Sequence, residues 1–256
     1  MKDYGLNGKV ALVTGAGRGM GKAIAEGFAN EGAKVIVGEI DSESGQAVAE
    51  NIRKSGGEAR FVQCDVSKAE SIDSLMAATI DAYGRLDCAV NNAAIDNEAG
   101  FLTDIDEAAA DRVIGINFRG VFLGMQRQIR QMLSQGAGGT IVNMTSISAE
   151  RPHLHGSVYS GTKAGVVAMT KAAAVTYAPQ KIRINMVAPG AIDTPMLKEN
   201  LEAAGIKPEE LLKGYSLVGR FGRTDEIAEA VLWLSSDLAS YTFGHVLAVD
   251  GGYLSR

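Results

Sequence analysis

Thiols are scarce: Cys64 and Cys88 are the chain's two cysteines in 256 residues. That excludes a disulfide-dense scaffold. Both lie in apolar, strand-like runs, where they read as small buried hydrophobes rather than as a disulfide or metal pair. An excess of basic residues is also missing, because the net charge is -5. The acidic balance argues against a polyanion-binding role, so no nucleic-acid partner is expected. No uncharged apolar run reaches the ~18 residues of a membrane-spanning helix, so no membrane partner is expected. The stretch Met1-Lys-Asp-Tyr-Gly5 runs directly into the first apolar segment and leaves no room for a secretory signal, which points to a cytoplasmic protein. Internal repeats, low-complexity runs and linkers are lacking too. At this length one large core suffices, and a single domain over 1–256 is expected.

What is there is an alternation of short apolar runs with helical periodicity. Strand candidates lie near 9–14, 33–39, 59–64, 86–91, 139–145, 181–187 and 245–249. Helical spacing fills 20–31, 42–55, 68–83, 105–133, 157–178 and 224–235. Strict alternation implies an α/β fold: one doubly wound parallel sheet of about seven strands, right-handed crossovers, and helices on both faces. Ligands then bind beyond the carboxyl ends of the strands, where strand order reverses. The stretch 190–216 reads as irregular, with Pro195, Gly205, Pro208 and Gly214. Such a length of irregular chain in a compact domain is often a lid over a site. A surface helical hairpin is the alternative.

Two motifs carry chemistry. The run Val10-Ala-Leu-Val-Thr14 passes at once into Gly15-Ala-Gly17-Arg-Gly19-Met-Gly21, and Ala23, Ile24, Phe28 and Ala29 follow at helical spacing. This is strand, glycine turn, helix. Backbone in such a turn can approach a pyrophosphate, and the helix N-terminus adds N–H donors and a positive dipole. Met20 breaks the G-x-G-x-x-G spacing, and Gly15, Gly19 and Gly21 instead form G-x-x-x-G-x-G. In the second motif, Tyr159 and Lys163 stand four residues apart on one helix face. An ammonium beside a phenol favours the phenolate and lowers its pKa from about 10. A tyrosine tuned this way exchanges a proton with an alcohol or ketone at neutral pH. Ser146 lies thirteen residues upstream, at the end of Ile141-Val-Asn-Met-Thr-Ser.

Together with Asp65-Val66, Asn91-Asn92-Ala93, Asn117 and Pro189-Gly190-Ala-Ile192-Asp-Thr194, these motifs resemble the short-chain dehydrogenase/reductase family in its form of about 250 residues. The resemblance runs from about Gly8 to Gly252. Ala94 departs from it, since the family usually has glycine there. The resemblance implies a Rossmann-like fold and a secondary-alcohol dehydrogenase or ketone reductase using a nicotinamide cofactor. Asn117, Ser146, Tyr159 and Lys163 are then the catalytic set. Tyr159 is the acid–base, and the Ser146 hydroxyl holds the substrate oxygen. Lys163 tunes Tyr159 and holds the nicotinamide ribose, and Asn117 holds a relay water. For Asn117 the alternative is a helix-interior side chain bonded to backbone. Thr145 is the neighbour most easily confused with Ser146, but the thirteen-residue gap matches Ser146.

Cofactor residues implied are Gly15, Arg18, Gly19, Met20, Gly21, Glu39, Asp65, Val66, Asn92, Ala93, Tyr159, Lys163, Ile192 and Thr194. Asp65 and Val66 would flank the adenine, with Asp65 or Ser67 as a helix N-cap the competing use. Ile192 and Thr194 would hold the carboxamide. Glu39 ends the second strand, eighteen residues after Gly21, where a carboxylate accepts from ribose hydroxyls and repels a 2′-phosphate. Ile40 follows, where NADP users often carry a basic residue. Arg18 argues the other way. NAD is favoured over NADP.

The substrate is read as a small secondary alcohol or ketone, with Ser146, Tyr159, His153 and Gly190 around it. His153 and His155 lack a Cys or carboxylate cluster at ligand spacing, so no metal is expected. Asp96, Asn97 and Glu98 follow the fourth strand and read as a solvated loop, with contact to the substrate as the alternative. A 3-oxoacyl reductase and a non-catalytic dinucleotide-binding regulator are the alternatives. The chain offers an acyl-carrier partner only Lys207 and Lys213 near the site. Met125 and Met132 read as core or interface fillers. By resemblance a homotetramer is expected, packed through 105–133, 157–178 and the last strand. Ala164, Gly165, Val166, Ala168, Ala172 and Ala173 would allow close helix approach.

Overall fold

Short, mostly apolar runs form the seven strands of one sheet. They are β1 (Val10–Thr14), β2 (Lys34–Glu39), β3 (Glu58–Gln63), β4 (Cys88–Asn91), β5 (Gly139–Met144), β6 (Ile182–Pro189) and β7 (Val246–Val249). This computed structural model describes residues 3–96 and 100–255. The sheet is parallel throughout, in the order β3-β2-β1-β4-β5-β6-β7. Strand order reverses between β1 and β4, where Val13 pairs with Val90, and the crevice of a doubly wound sheet opens there.

Nine α-helices are found among the described residues: α1 (Gly19–Asn30), α2 (Ser42–Lys54), α3 (Ala69–Tyr83), α4 (Glu107–Ile114), α5 (Val121–Gln135), α6 (Ser157–Tyr177), α7 (Pro195–Ala204), α8 (Pro208–Tyr215) and α9 (Thr224–Ser235). Successive strand residues point to opposite faces, which makes two core layers. Ala11, Val13, Val35 and Val37 pack under α1, α2 and α9 against Ile24, Phe28, Val48, Ile227 and Val231. Leu12, Ile36, Ile141 and Ile184 pack under α3, α5 and α6 against Ile72, Leu75, Ile129 and Val166. Met125 and Met132 are buried in the second layer. Cys64 and Cys88 are free and buried, and burial pushes both thiols up to about 11.

Three expectations need correction. The helix read over 105–133 is broken: a π-helical turn, Gly115–Gly120, separates α4 from α5. The stretch 190–216 is not irregular, because it folds into α7 and α8. Thr194 starts α7 by accepting the Leu197 N–H at 3.2 Å, with Pro195 in the first turn, and Gly205 ends it at φ +64°. The prolines and glycine that suggested irregularity are the starts and stop of helices. Finally, not all the small residues of α6 face outward. Val166 lies in the core and Gly165 packs against the Phe118 ring, which leaves Ala164, Ala168 and Ala172 exposed at four-residue spacing.

Among the described residues no helix is long and apolar enough to cross a membrane. Nor do any three His, Cys, Asp or Glu among them group as metal ligands. Asn97 and Glu98 lie outside the described residues.

Candidate active site

The glycine turn joins β1 to α1 with two residues in the left-handed region, Gly15 at φ +62° and Gly19 at φ +56°. A side chain is strained there, and a Cβ on Gly15 would come to 2.7 Å from Ala93 Cα. Gly21 has another reason to be glycine, since a Cβ there would overlap the Gly15 carbonyl oxygen. The α1 N-terminus has no side-chain cap and no acidic residue in its first turn. Its leading N–H groups and dipole therefore suit an anionic group such as a pyrophosphate. Gly19 faces Thr194 and Pro195 across ordinary van der Waals distance, so the turn lies against the start of α7. The Met20 side chain packs against the core beneath.

Polar side chains hold this turn in shape. Asn92 Nδ2 donates to the carbonyls of Thr14 and Gly15 at 3.0 and 2.9 Å. Thr14 Oγ1 accepts the N–H groups of Asn92 and Ala93 at 3.1 and 3.3 Å. Asn92 thus shapes the turn with its side chain, and Thr14, the strand-end residue that leads into the glycine motif, joins it. Glu39 Oε2 accepts the Gly17 N–H at 2.9 Å, while Oε1 accepts those of Ile40 and Asp41 at 2.8 and 3.2 Å. The carboxylate is therefore fixed at the end of β2 beside the turn. Arg18 points instead to α7, where its guanidinium pairs with Glu199 at 2.5 Å.

Asp65 is used locally. It accepts the Ser67 N–H and hydroxyl at 3.0 and 2.7 Å and pairs with Lys68 at 3.5 Å. Lys68 is the N-cap of α3, so neither Asp65 nor Ser67 caps that helix. Val66 is half-buried against the α3–α5 layer.

The catalytic candidates meet beyond β5. The Ser146 and Tyr159 hydroxyls are hydrogen-bonded to each other. The Thr145 hydroxyl turns instead to the Ser146 backbone. Lys163 Nζ donates to the Met144 carbonyl at 3.0 Å and lies 5.6 Å from the Tyr159 ring centroid. The expected lowering of the Tyr159 pKa is reversed within the chain itself. Burial pushes the phenol above its ordinary value, the Asp96 charge adds to this, and the Ser146 hydrogen bond opposes it. Burial also pulls Lys163 down to about 8, against the Asp96 charge. A buried ammonium that gives up its proton this readily is a weak source of phenolate stabilisation.

Asn117 sits in the π turn and is fully buried. Its Oδ1 accepts the Ile95 N–H at 2.9 Å, and its Nδ2 donates to the Ile95 carbonyl at 2.7 Å. The side chain therefore clamps the loop after β4, as the backbone-bonded alternative describes. His153 lies beside Tyr159, with ring centroids 6.5 Å apart, and its Nδ1 is 2.8 Å from the Leu154 carbonyl. Gly190 donates its N–H to Val249 at 3.0 Å and packs closely on the Asp250 backbone, which leaves it a structural contact with β7. Ile192 is buried in the α1–α9 layer, and the Thr194 hydroxyl caps α7. Asp96, read as a solvated loop residue, is half-buried and within electrostatic range of both Tyr159 and Lys163.

Known proteins resemble this chain over nearly its whole length. A family model described as enoyl-(acyl carrier protein) reductase matches residues 15–254. A short chain dehydrogenase/reductase, astE, of Aspergillus oryzae is 40% identical over 252 residues, 98% of this chain and 97% of that protein. A 2,5-dichloro-2,5-cyclohexadiene-1,4-diol dehydrogenase of Sphingobium indicum is 40% identical over 250 residues, covering 97% and 98% of the two chains. The crystal structure of a 3-ketoacyl-(acyl-carrier-protein) reductase from Brucella melitensis complexed with NADH superposes with a TM-score of 0.89 at 36% identity, covering 97% of this chain and 99% of that one.

Proposed function

The chain belongs to the short-chain dehydrogenase/reductase family of dinucleotide-dependent oxidoreductases, and on that premise we propose that it moves hydride between NAD and a small secondary alcohol or ketone. The observation that carries this reading is the Ser146–Tyr159 hydrogen bond with Lys163 buried beneath it. When bound, a nicotinamide dinucleotide supplies the two-electron acceptor or donor. The residues suited to hold it are the uncapped start of α1, Gly15 and Gly19, Glu39, and the Thr194 turn.

In oxidation, Tyr159 in its phenolate form takes the substrate hydroxyl proton at its phenolic oxygen. In reduction it returns that proton to the forming alkoxide. Ser146 hydrogen-bonds the substrate oxygen and orients it toward Tyr159. Asn117 serves by holding the Ile95 backbone. Intact Asn117, Ser146, Tyr159 and Lys163 favour an enzyme over a silent dinucleotide-binding regulator.

NAD is favoured because Glu39 is fixed beside the turn, where a 2′-phosphate would meet its charge, and because Arg18 already faces Glu199. A compact cyclic alcohol is favoured by the diol dehydrogenase among the relatives. The helices α7 and α8 act as the lid. A homotetramer is part of the same proposal, supported by Ile114, Phe122 and Val175, which are exposed on the helices expected to pair. A cytoplasmic location belongs to it too. The test is nicotinamide absorbance with a panel of alcohols and ketones and both dinucleotides; no turnover of any pair rejects the reading. A light-scattering mass of one chain at micromolar concentration rejects the tetramer.

A further inference from the structure

Three segments far apart in the chain meet at one ring. Tyr253 lies in the short turn after β7 and is buried. Tyr215, the last residue of α8, stacks on it, with ring centroids 5.0 Å apart and planes 2° from parallel. Arg151 brings its guanidinium carbon to 5.0 Å from the centre of the Tyr253 ring, and its Nη1 lies 3.5 Å from the Tyr253 carbonyl. Arg151 also closes the turn that begins at Ser146. Its N–H donates to the Ile147 carbonyl at 2.9 Å, and the Ser146 hydroxyl accepts the Ser148 N–H at 3.1 Å.

The base from which Tyr253 projects is itself held. The Asp250 carboxylate accepts the N–H groups of Gly252 and Leu254, both at 2.9 Å. Leu217, just beyond α8, donates its N–H to the Gly251 carbonyl at 2.9 Å. A Cβ on Gly252 would come to 2.7 Å from the Leu217 side chain, so the chain leaving α8 lies directly against this turn. Stacked rings and a cation over a ring attract beyond the area they bury. Groups that touch a ring on such a base take their position from it.

Resting on the proposed dehydrogenase reading and its lid, we propose that Tyr253 is a positioning residue for the substrate cleft. Through Arg151 it holds the loop that carries Ser146, and through Tyr215 it holds the far end of the lid. The lid is then anchored at α8 and opens at α7, which reaches the glycine turn through the exposed Arg18–Glu199 pair. Gly205, at φ +64°, and Pro208, at the start of α8, mark the joint between the two helices.

The test compares wild type with Tyr253→Ala, Tyr253→Phe, Tyr215→Ala, Arg151→Ala and the Tyr215→Ala/Tyr253→Ala double variant. NADH binding, followed by fluorescence, checks that each is folded. The substrates are cyclohexanol and cyclohexanediol, with NAD as acceptor. Tyr215→Ala raises KM about two- to tenfold, the scale of one lost aromatic pair, and leaves kcat within about twofold. Arg151→Ala lowers kcat about two- to fivefold, the scale of one cation over a ring, with little change in KM. Tyr253→Ala does both. The double variant raises KM no further than Tyr253→Ala, because the partner ring is already gone. Tyr253→Phe keeps the ring and restores both constants.

A second measurement reads the lid without turnover. Lys213 is exposed on α8, close to Tyr215 in sequence. Trypsin cuts there about two- to tenfold faster in Tyr215→Ala and Tyr253→Ala, and at the wild-type rate in Tyr253→Phe. Tyr215→Ala alone carries the test if Tyr253→Ala fails to bind NADH. Phenylalanine and alanine at 253 behaving alike overturn the inference, as do unchanged cutting in the alanine variants or effects on KM that add in the double variant. Each of these leaves the dehydrogenase reading standing. A wild type that turns over no alcohol with either dinucleotide overturns that reading, while the cutting rates still decide whether α8 is anchored on Tyr253.

Discussion

Arg18 in the glycine turn and Glu199 on α7 form an ion pair at 2.5 Å, with both side chains more than half exposed. An exposed pair of this kind contributes only ~0.2–1 kcal/mol. It restrains Arg18 weakly, so on the proposed NAD reading cofactor choice rests mainly on Glu39, which three backbone N–H groups hold in place.

Wild type should accordingly show higher kcat/KM with NAD than with NADP. Glu39→Ala should narrow the gap from both sides: NAD loses charged hydrogen bonds worth roughly 1.5–3 kcal/mol, while NADP loses a like-charge contact. Releasing Gly17 would weaken both cofactors alike, so the ratio is the readout. Glu199→Ala frees Arg18 and should raise NADP use up to ~5-fold, the value of ~1 kcal/mol. Arg18→Ala added to Glu39→Ala should reduce NADP use again. Steady-state assays with each cofactor decide; a wild type preferring NADP refutes the Glu39 assignment.

Tyr159→Phe keeps the ring and removes the proton. Turnover should fall by at least ~10²-fold while dinucleotide affinity is retained. Ser146→Ala removes the hydrogen bond that opposes the upward shift of Tyr159. Its kcat should fall as well, with the limb assigned to Tyr159 moved to higher pH. Unchanged turnover in the phenylalanine variant would take Tyr159 out of the chemistry.

Lys163 makes a prediction about stability. Its folded pKa is lowered from 10.5 to about 8 because burial penalises the charge. Below pH 8 both states hold the proton, and the native state carries the full cost of burying it. Between about 8 and 10.5 the native state has released the proton while the unfolded chain retains it, so this group's contribution to stability rises with pH. Lys163→Met should therefore be more stable than wild type at pH 7, by on the order of a few kcal/mol, and inactive. That advantage should shrink as pH rises through this window. Thermal melts of both proteins from pH 7 to 10 measure it, and a difference that does not vary with pH contradicts the assignment.

Gly21→Ala should be far more harmful than its helix position suggests. Alanine is the better helix former by about 1 kcal/mol, yet the added methyl would overlap the Gly15 carbonyl oxygen. The turn must then shift from its Asn92 anchor. At least a tenfold loss of NADH affinity with a lowered Tm is expected, read by fluorescence titration and a thermal melt. An affinity equal to wild type would show that the turn is not the pyrophosphate cradle.

The order of elements was legible because most strands are apolar runs and each main helix has its own period. The glycine turn and the Tyr159–Lys163 spacing are local patterns, and strict alternation implies a doubly wound parallel sheet, whose reversal point between β1 and β4 is seen only in the fold. Helices α7 and α8 were harder, because Pro195, Gly205 and Pro208 break a periodicity in sequence while marking helix ends in space. The π turn at Asn117 was hidden for a different reason. One extra residue in a helical turn changes which backbone groups pair and leaves the apolar pattern nearly intact.

By itself, then, the sequence determined the layers, the strand count, the glycine turn between β1 and α1 and the one-face spacing of Tyr159 and Lys163, since all of these rest on contacts or spacings within one or two elements. Only the tertiary structure decided how polar side chains are spent between elements. Asn92 goes to the glycine turn, Asn117 to Ile95, Arg18 to Glu199, and Asp96 to the catalytic pair. It also decided the direction of the Tyr159 shift, because desolvation depends on everything packed around a group, whereas four-residue spacing specifies only one neighbour.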